Sequence, residues 1–185
     1  RPKSSAASDV YKRQALTTVA VDLTNVTSIT SSNLVDLGTL STAIGLDQFS
    51  NDIGITTIAV SDTTIDATTL ASTIDAYDSI NLSSTTDMTL ASGATINVAA
   101  GEVTHMLLDE TQNRLEIVDQ DIVVTGNISV DDANLLDATT EGVVTASIAT
   151  DSRVESLKTL TGTNNAYTIV CLLYTSDAAD DLGRG

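Results

Sequence analysis

What this chain has least of decides most about it. Its 185 residues include one cysteine (Cys171), one proline (Pro2), one histidine (His105) and no tryptophan. A single cysteine cannot close a disulfide within the chain, so a disulfide framework is excluded. Cysteine scarcity does not fix a compartment; it is compatible with an oxidising one. One phenylalanine and four tyrosines make up all the aromatic side chains, so a core must be assembled from Ile, Val, Leu and Ala. That palette suits thin repeated layers better than one thick globular core. Basic residues are scarce too: 8 Lys+Arg stand against 25 Asp+Glu, a net charge of −17. Nucleic-acid binding needs clustered Lys and Arg to displace counterions from phosphate, and nothing of the kind is present. Docking on anionic membrane is disfavoured for the same reason. No apolar run approaches the roughly 20 residues of a membrane span, so no membrane insertion is expected. A strongly acidic surface fits a soluble exterior among cations or in high salt.

The two ends read differently from the middle. Ser4 to Gln14 is S-S-A-A-S-D-V-Y-K-R-Q, and Cys171 to Asp181 is C-L-L-Y-T-S-D-A-A-D-D. Back-translated, residues 4–14 resemble a sequencing-library adapter that closes with the mosaic end of transposase-based preparation. Residues 171–181 resemble its reverse complement, read in another frame. The resemblance implies that residues 1–14 and 171–185 are translated adapter, and that residues 15–170 are an internal piece of a longer reading frame. Such segments are set aside in fold reasoning. Between residues 15 and 170 the basic side chains are Arg114, Arg153 and Lys158 against 21 carboxylates, a net −18. Pro2 and Cys171 both fall in the flanks.

What is abundant is a pattern. Gly126 to Ile148 reads G-N-I-S-V-D-D-A-N-L-L-D-A-T-T-E-G-V-V-T-A-S-I. It holds an alternating run (Ile128, Val130), an acidic helix start (Asp131, Asp132), an Ala/Leu-rich segment, a stop at Gly142 and a second apolar run. Looser copies recur. Ile58 and Val60 alternate with polar neighbours, after which Ala67, Leu70, Ala71 and Ile74 fall at i, i+3, i+4 and i+7, one face of a helix. Ile96 and Val98 precede the best autonomous helix, expected over 102–116, with Val103, Met106 and Leu107 as its apolar stripe and Arg114 in its final turn. Asn33 with Ser31 and Ser32 offers a cap before Leu37, Leu40 and Ile44. Ser152-Arg-Val-Glu155 matches a capping box, and Tyr167 to Val170 returns to strand.

These runs mark units near 26–54, 55–85, 94–122, 126–150 and 151–170, a spacing within the range of repeat arrays. Strand, short helix and strand joined by about a dozen residues permit parallel pairing through right-handed crossovers. The expected fold is an α/β repeat, a solenoid of short parallel strands with short helices. The alternative is a parallel β-helix whose helical segments are mere turns. An immunoglobulin-like array ranks third, because it wants strands every 8 to 12 residues without helix periodicity. On the solenoid reading Ile58, Val60, Ile96, Val98, Ile128 and Val130 stack in one apolar layer.

I-S-V-D-D-A-N-L-L-D-A-T-T-E-G-V-V-T-A, followed by L-K-T-L-T-G-T-N-N-A-Y-T-I-V, resembles tandem repeats of giant adhesin-like, surface-protein-like reading frames of marine bacteria, cyanobacteria especially. The likeness is best over residues 126–170, weaker over 26–82, and departs over 86–121. It implies an internal structural or adhesive segment of a large secreted or cell-surface protein. Its partners would be the neighbouring repeats of the parent chain and an external ligand of unknown chemistry. The alternative is passive spacer repeats attached to an enzymatic domain elsewhere.

No residue pattern here carries bond-making chemistry, so no catalytic, cofactor or metal residue is assigned. His105, with Glu102, Asp109 and Glu110 at neighbouring turns, lacks the further His or Cys ligands that zinc takes and reads as a solvated helix residue. Asp119, Asp121, Asp131 and Asp132 offer the oxygens calcium prefers, but they match neither the EF-hand loop nor the glycine-rich nonapeptide. They read as turn and N-cap residues. Asp66, Asp75 and Asp137 are dispersed like a solvated face rather than paired like glycosidase acids. G-x-S-x-G and glycine-rich phosphate loops are absent.

Overall fold

The computed structural model describes residues 25–45, 55–80, 87–149 and 154–170. The adapter-like ends (1–14 and 171–185) and the first residues of the 152–155 capping box lie outside the described residues. The chain runs β1 (Ser28–Ser32), α1 (Leu34–Gly45), β2 (Thr57–Val60), β3 (Thr64–Asp66), α2 (Ala67–Ile80), β4 (Asp87–Thr89), β5 (Thr95–Ala99), α3 (Val103–Thr111), β6 (Leu115–Glu116), β7 (Asp121–Ile128), α4 (Val130–Thr139), β8 (Val144–Ala149), α5 (Val154–Leu157) and β9 (Ala166–Val170).

This is an α/β fold with two parallel sheets, ordered β1-β2-β4-β6 and β3-β5-β7-β8-β9. Neighbouring strands follow one another in chain order, and the helices and turns carry the chain between them, since parallel strands need crossover connections. Side chains repeat every two residues along a strand, so in-register parallel pairing places like residues beside like. In the first sheet Ile29, Ile58, Met88 and Leu115 are partners in turn. In the second, Ile65, Ile96, Ile122 and Val144 are partners in turn, with intervals of 31, 26 and 22 residues. Of these eight all but Ile29 are buried. Each such side chain contributes about 1.5–3 kcal/mol by leaving water. A third ladder, Ile128–Ile148–Ile169, runs out to the edge of the second sheet.

The helices pack in sequence, α1 on α2, α2 on α3 and α3 on α4. Their threonine-rich sequences have weak intrinsic propensity, so caps and inward faces must hold them. Asn33 accepts from Asp36 N at 2.8 Å at the start of α1, while Leu34 N donates to Asp62 Oδ2, 28 residues on, at 2.8 Å. Asp66 caps α2 by accepting from Thr69 N at 2.9 Å. Ser129 and Asp132 form a reciprocal capping box on α4. α2 buries Ala67, Leu70, Thr73, Ile74 and Tyr77, which includes three of the four expected positions. Tyr77 is fully buried, its hydroxyl donates to Leu37 O at 3.1 Å, and burial pushes the phenol up to about 12. This one aromatic ring ties α2 to α1.

Three expectations are corrected. The helix expected over 102–116 ends at Thr111, and Leu115–Glu116 is strand β6. Asn113 takes a left-handed conformation (φ 55), which breaks the helix and turns Leu115 inward beside Met88. The alternating run at Ile128 and Val130 is split: Ile128 ends β7, one strand from Asp121 that bends at Gly126 (φ 100), where the register with β8 shifts. Only glycine enters that conformation cheaply. Val130 consequently opens α4 instead of ending a strand. Finally, Ile58, Val60, Ile96, Val98, Ile128 and Val130 are all buried, yet they do not form one layer. Ile58 and Val60 belong to the first sheet, Ile96, Val98 and Ile128 to the second, and Val130 to a helix. Each pass of the chain contributes a strand to both sheets over much of the molecule, so a strand-to-strand count along the sequence mixes two ladders.

Candidate functional site

The densest charged constellation lies between α2 and α3. Arg114 leaves the turn after α3 and is 15% exposed. Its Nη1 donates to Asp109 Oδ1 at 3.0 Å, its Nη2 to Asp75 Oδ1, and its Nε lies 2.6 Å from Asp78 Oδ2. Asp75 and Asp78 come from α2 and Asp109 from α3, so one guanidinium fork joins two helices. Asp109 is 2% exposed, and His105 Nδ1 stands 3.6 Å from its other oxygen. Burial pushes the Asp109 carboxyl above the ordinary carboxylate range against the pull of Arg114 and His105. Burial also presses on Arg114, but the Asp75 hydrogen bond and the surrounding negative charge hold its pKa above the usual value. Beside this node Leu70, Ile74, Glu102, His105, Met106 and Asp109 border a cleft of about 10 Å³, room for about one water. That is far below the hundreds of cubic ångströms of a small-molecule site.

A second polar system lines the turns that lead into β5, β7, β8 and β9. Asp119 accepts from Ser92 Oγ and Gly93 N. Gln120, 2% exposed, donates to Ala91 O at 3.1 Å and accepts from Val118 N at 2.6 Å. Thr140 Oγ1 donates to Gln120 O at 2.6 Å and accepts from Gly142 N at 2.9 Å. Asp121 Oδ1 accepts from Val143 N, and Asn165 Oδ1 from Val144 N, both at 2.8 Å. Asn165 also donates to Asp137 Oδ1 at 2.7 Å. Apart from the two local bonds, from Val118 N to Gln120 and from Gly142 N to Thr140, these bonds join residues 20 to 29 positions apart, so side chains staple neighbouring turns. Gly142 is required here: an added Cβ would strike the Gln120 carbonyl.

The sequence-based candidates thus part company. His105 and Asp109 come together on α3, with Glu102 at its start. Asp75 joins them through Arg114. Asp119 occupies a turn, Asp121 opens strand β7 instead of a turn, Asp132 and Asp66 occupy caps, and Asp137 serves the Asn165 staple. Asp131 and Glu110 take no part in either system. Among the described residues no group of three or more His, Cys, Asp and Glu side chains is placed to hold a metal ion. Sequence reading missed Gln120, Thr140 and Asn165, which lack any motif. It also gave Arg114 to a helix, although a rare cation in an acidic span is itself a signal for an ion pair.

Two predictions arise from these carboxylates. Hydrogen bonds from Thr69 hold Asp66, and those from Ser92 and Gly93 hold Asp119, below the ordinary value of 3.8. A depressed folded pKa gives stability that is present above the unfolded value and lost as pH falls through the folded one. The melting temperature should therefore drop as pH falls below about 4, and less steeply in Asp66→Ala. Asp109, raised, acts in the opposite sense: its ionisation disfavours the folded state, so its protonation partly offsets the loss. In calorimetric melts at matched ionic strength, calcium and magnesium should stabilise alike, by screening. A saturable rise at low calcium only would reveal ligand loops at Asp119, Asp121, Asp131 or Asp132.

Comparison with protein-family models, with curated proteins and with solved structures finds no match. No helix among the described residues is long and apolar enough to cross a membrane.

Proposed function

We propose that residues 15–170 are an internal structural and adhesive repeat segment of a large secreted or cell-surface protein. In this reading the chain is an α/β solenoid whose successive coils are the units, and it performs no catalysis. One observation carries it: like residues from successive passes are parallel partners in unbroken series, Ile65–Ile96–Ile122–Val144 and Ile29–Ile58–Met88–Leu115. A stack of that kind buries in each coil what the coil alone could not cover. The coils shorten from 31 to 26 to 22 residues between paired positions: the connecting helix drops from 14 residues (Ala67–Ile80) to 9 (Val103–Thr111) and 10 (Val130–Thr139), and the last interval carries no first-sheet strand, while the rungs stay apolar. The charged groups favour the same role. Arg114 and the corner staples are spent on holding coils together, and the exposed carboxylates keep the outer surface hydrated.

The test uses beads coated with the chain, washed under flow over surfaces bearing neutral or anionic polysaccharide. Retention above that of beads coated with an unrelated acidic protein supports the adhesive role. Retention no better than that control on every surface leaves a passive spacer.

A further inference from the structure

Parallel sheets are almost always covered on both faces. In the five-stranded sheet β3-β5-β7-β8-β9 one face is buried and the other is not. Ile65, Ile96, Ile122, Val144 and Ile148 are buried, while the alternating positions Thr64, Asp66, Thr125, Thr145 and Thr168 are exposed. In-register pairing sets the outward residues in rows that cross the strands, Asp66–Asn97–Val123–Thr145–Ala166 and Asn127–Ser147–Thr168. Hydroxyls and amides dominate these rows. Asp66 and Asp121 are the charged side chains among the described residues of the five strands, and both are engaged, Asp66 with Thr69 N and Asp121 with Val143 N. On a chain of net charge −17 this face is nearly neutral.

We propose that this face binds a neutral linear polysaccharide lying along the rows, across successive strands. The assignment rests on the adhesive reading above and names its surface and its partner class. Charge selects against anionic polymers: they meet the repulsion of the surrounding carboxylates, and no lysine or arginine stands among the described residues of these strands. Area selects against a second copy or another folded protein. Five strands about 4.8 Å apart, each about five residues of about 3.3 Å, make a face of about 300 Å². A stable protein interface takes roughly 800 Å² from each partner and has an apolar core. Thr, Ser and Asn both donate and accept hydrogen bonds, as sugar hydroxyls do, so each can exchange a water for a sugar. Such contacts are weak coil by coil, but a polymer meets the rows again in every coil it crosses, and avidity sums them.

Native gels of the full chain, cast with hydroxyethylcellulose (neutral and linear), with alginate (anionic) or without polysaccharide, make the test. Relative to an unrelated acidic protein, wild type should be retarded by the neutral polymer and not by alginate. Thr125→Asp/Thr145→Asp, at two exposed positions of the face, should lose the retardation with an unchanged circular dichroism spectrum. Thr125→Val/Thr145→Val, which removes the hydroxyls and keeps the shape, should lose most of it. Ser72→Asp/Thr104→Asp adds the same charge to exposed positions of α2 and α3 and should be retarded as much as wild type. Retardation that survives the face substitutions, or that is greater in alginate, overturns the assignment, as does no retardation in the neutral gel. The bead assay asks only whether the chain adheres, so adhesion through another surface would leave that reading intact while this one fails.

Discussion

Ile122→Asp should lower stability by about 3–5 kcal/mol, the cost of a buried charge without a partner. Ile122 is fully buried in β7, between Ile96 on one side and Val144 on the other. The described groups nearest it in register are apolar, so an aspartate there has no cation to meet. Ile122→Ala should cost less, about 2–5 kcal/mol depending on how far β5 and β8 close over the gap. Three positions along the same strand, Thr125 is exposed, and Thr125→Asp should stay within about 0.5 kcal/mol of wild type. Urea melts of the three variants make the check. Losing about 4 kcal/mol from a domain whose whole stability is typically 5–15 kcal/mol leaves little of the transition. Equal effects at Ile122 and Thr125 would mean that the ladder is not the core.

Arg114→Met should be the next most damaging change, at about 3 kcal/mol. The substitution keeps bulk and removes the guanidinium that donates to Asp109, which is 2% exposed. Most of the loss comes from that stranded carboxylate. Asp75, 60% exposed, returns to water at little cost. The double variant Arg114→Met/Asp109→Asn should therefore be more stable than Arg114→Met alone, since it removes the unpaired charge. Arg114→Lys should be intermediate, because one ammonium cannot reproduce a fork that meets three carboxylates. A thermodynamic cycle over the two sites reads the coupling. Additive effects would show that Arg114 acts through its packing and not through its charge.

How much of this was legible in the sequence depends on the range of the interaction. Local signals came through: the i, i+3, i+7 face of Ala67, Leu70 and Ile74, the Asn33 cap, the strand ending at Val170. Parallel pairing followed from alternating strand and helix. Three features were not legible. Whether Ile58 and Ile96 share a sheet depends on a whole pass of the chain, and one strand more or less per pass changes the partner. Asn113 ends α3 because it adopts a left-handed turn, a choice its neighbours leave open and the burial of Leu115 decides. The staples of Gln120, Thr140 and Asn165 join residues 20 to 29 positions apart. They belong to no motif, since any polar side chain that reaches a lapsed backbone group would serve. Of the site, His105 with Asp109 could be read from their i, i+4 spacing, but Asp75 and Asp78 could not be joined to Arg114 across 39 and 36 residues.

The central claim is that successive passes stack as separable, register-matched layers, and removal of one layer tests it most directly. Ile96 and Ile122 are rung partners, so deleting residues 97–122 joins Ile96 to Val123 in equivalent positions and takes out α3 and β6 as a unit. Stability in a stack is a sum of layers and their interfaces, so a shorter stack remains folded and melts earlier. Calorimetry of the deleted chain should show one cooperative transition at a lower temperature, with α/β circular dichroism retained below it. A chain with no cooperative transition, and the spectrum of an unfolded protein, would contradict the account.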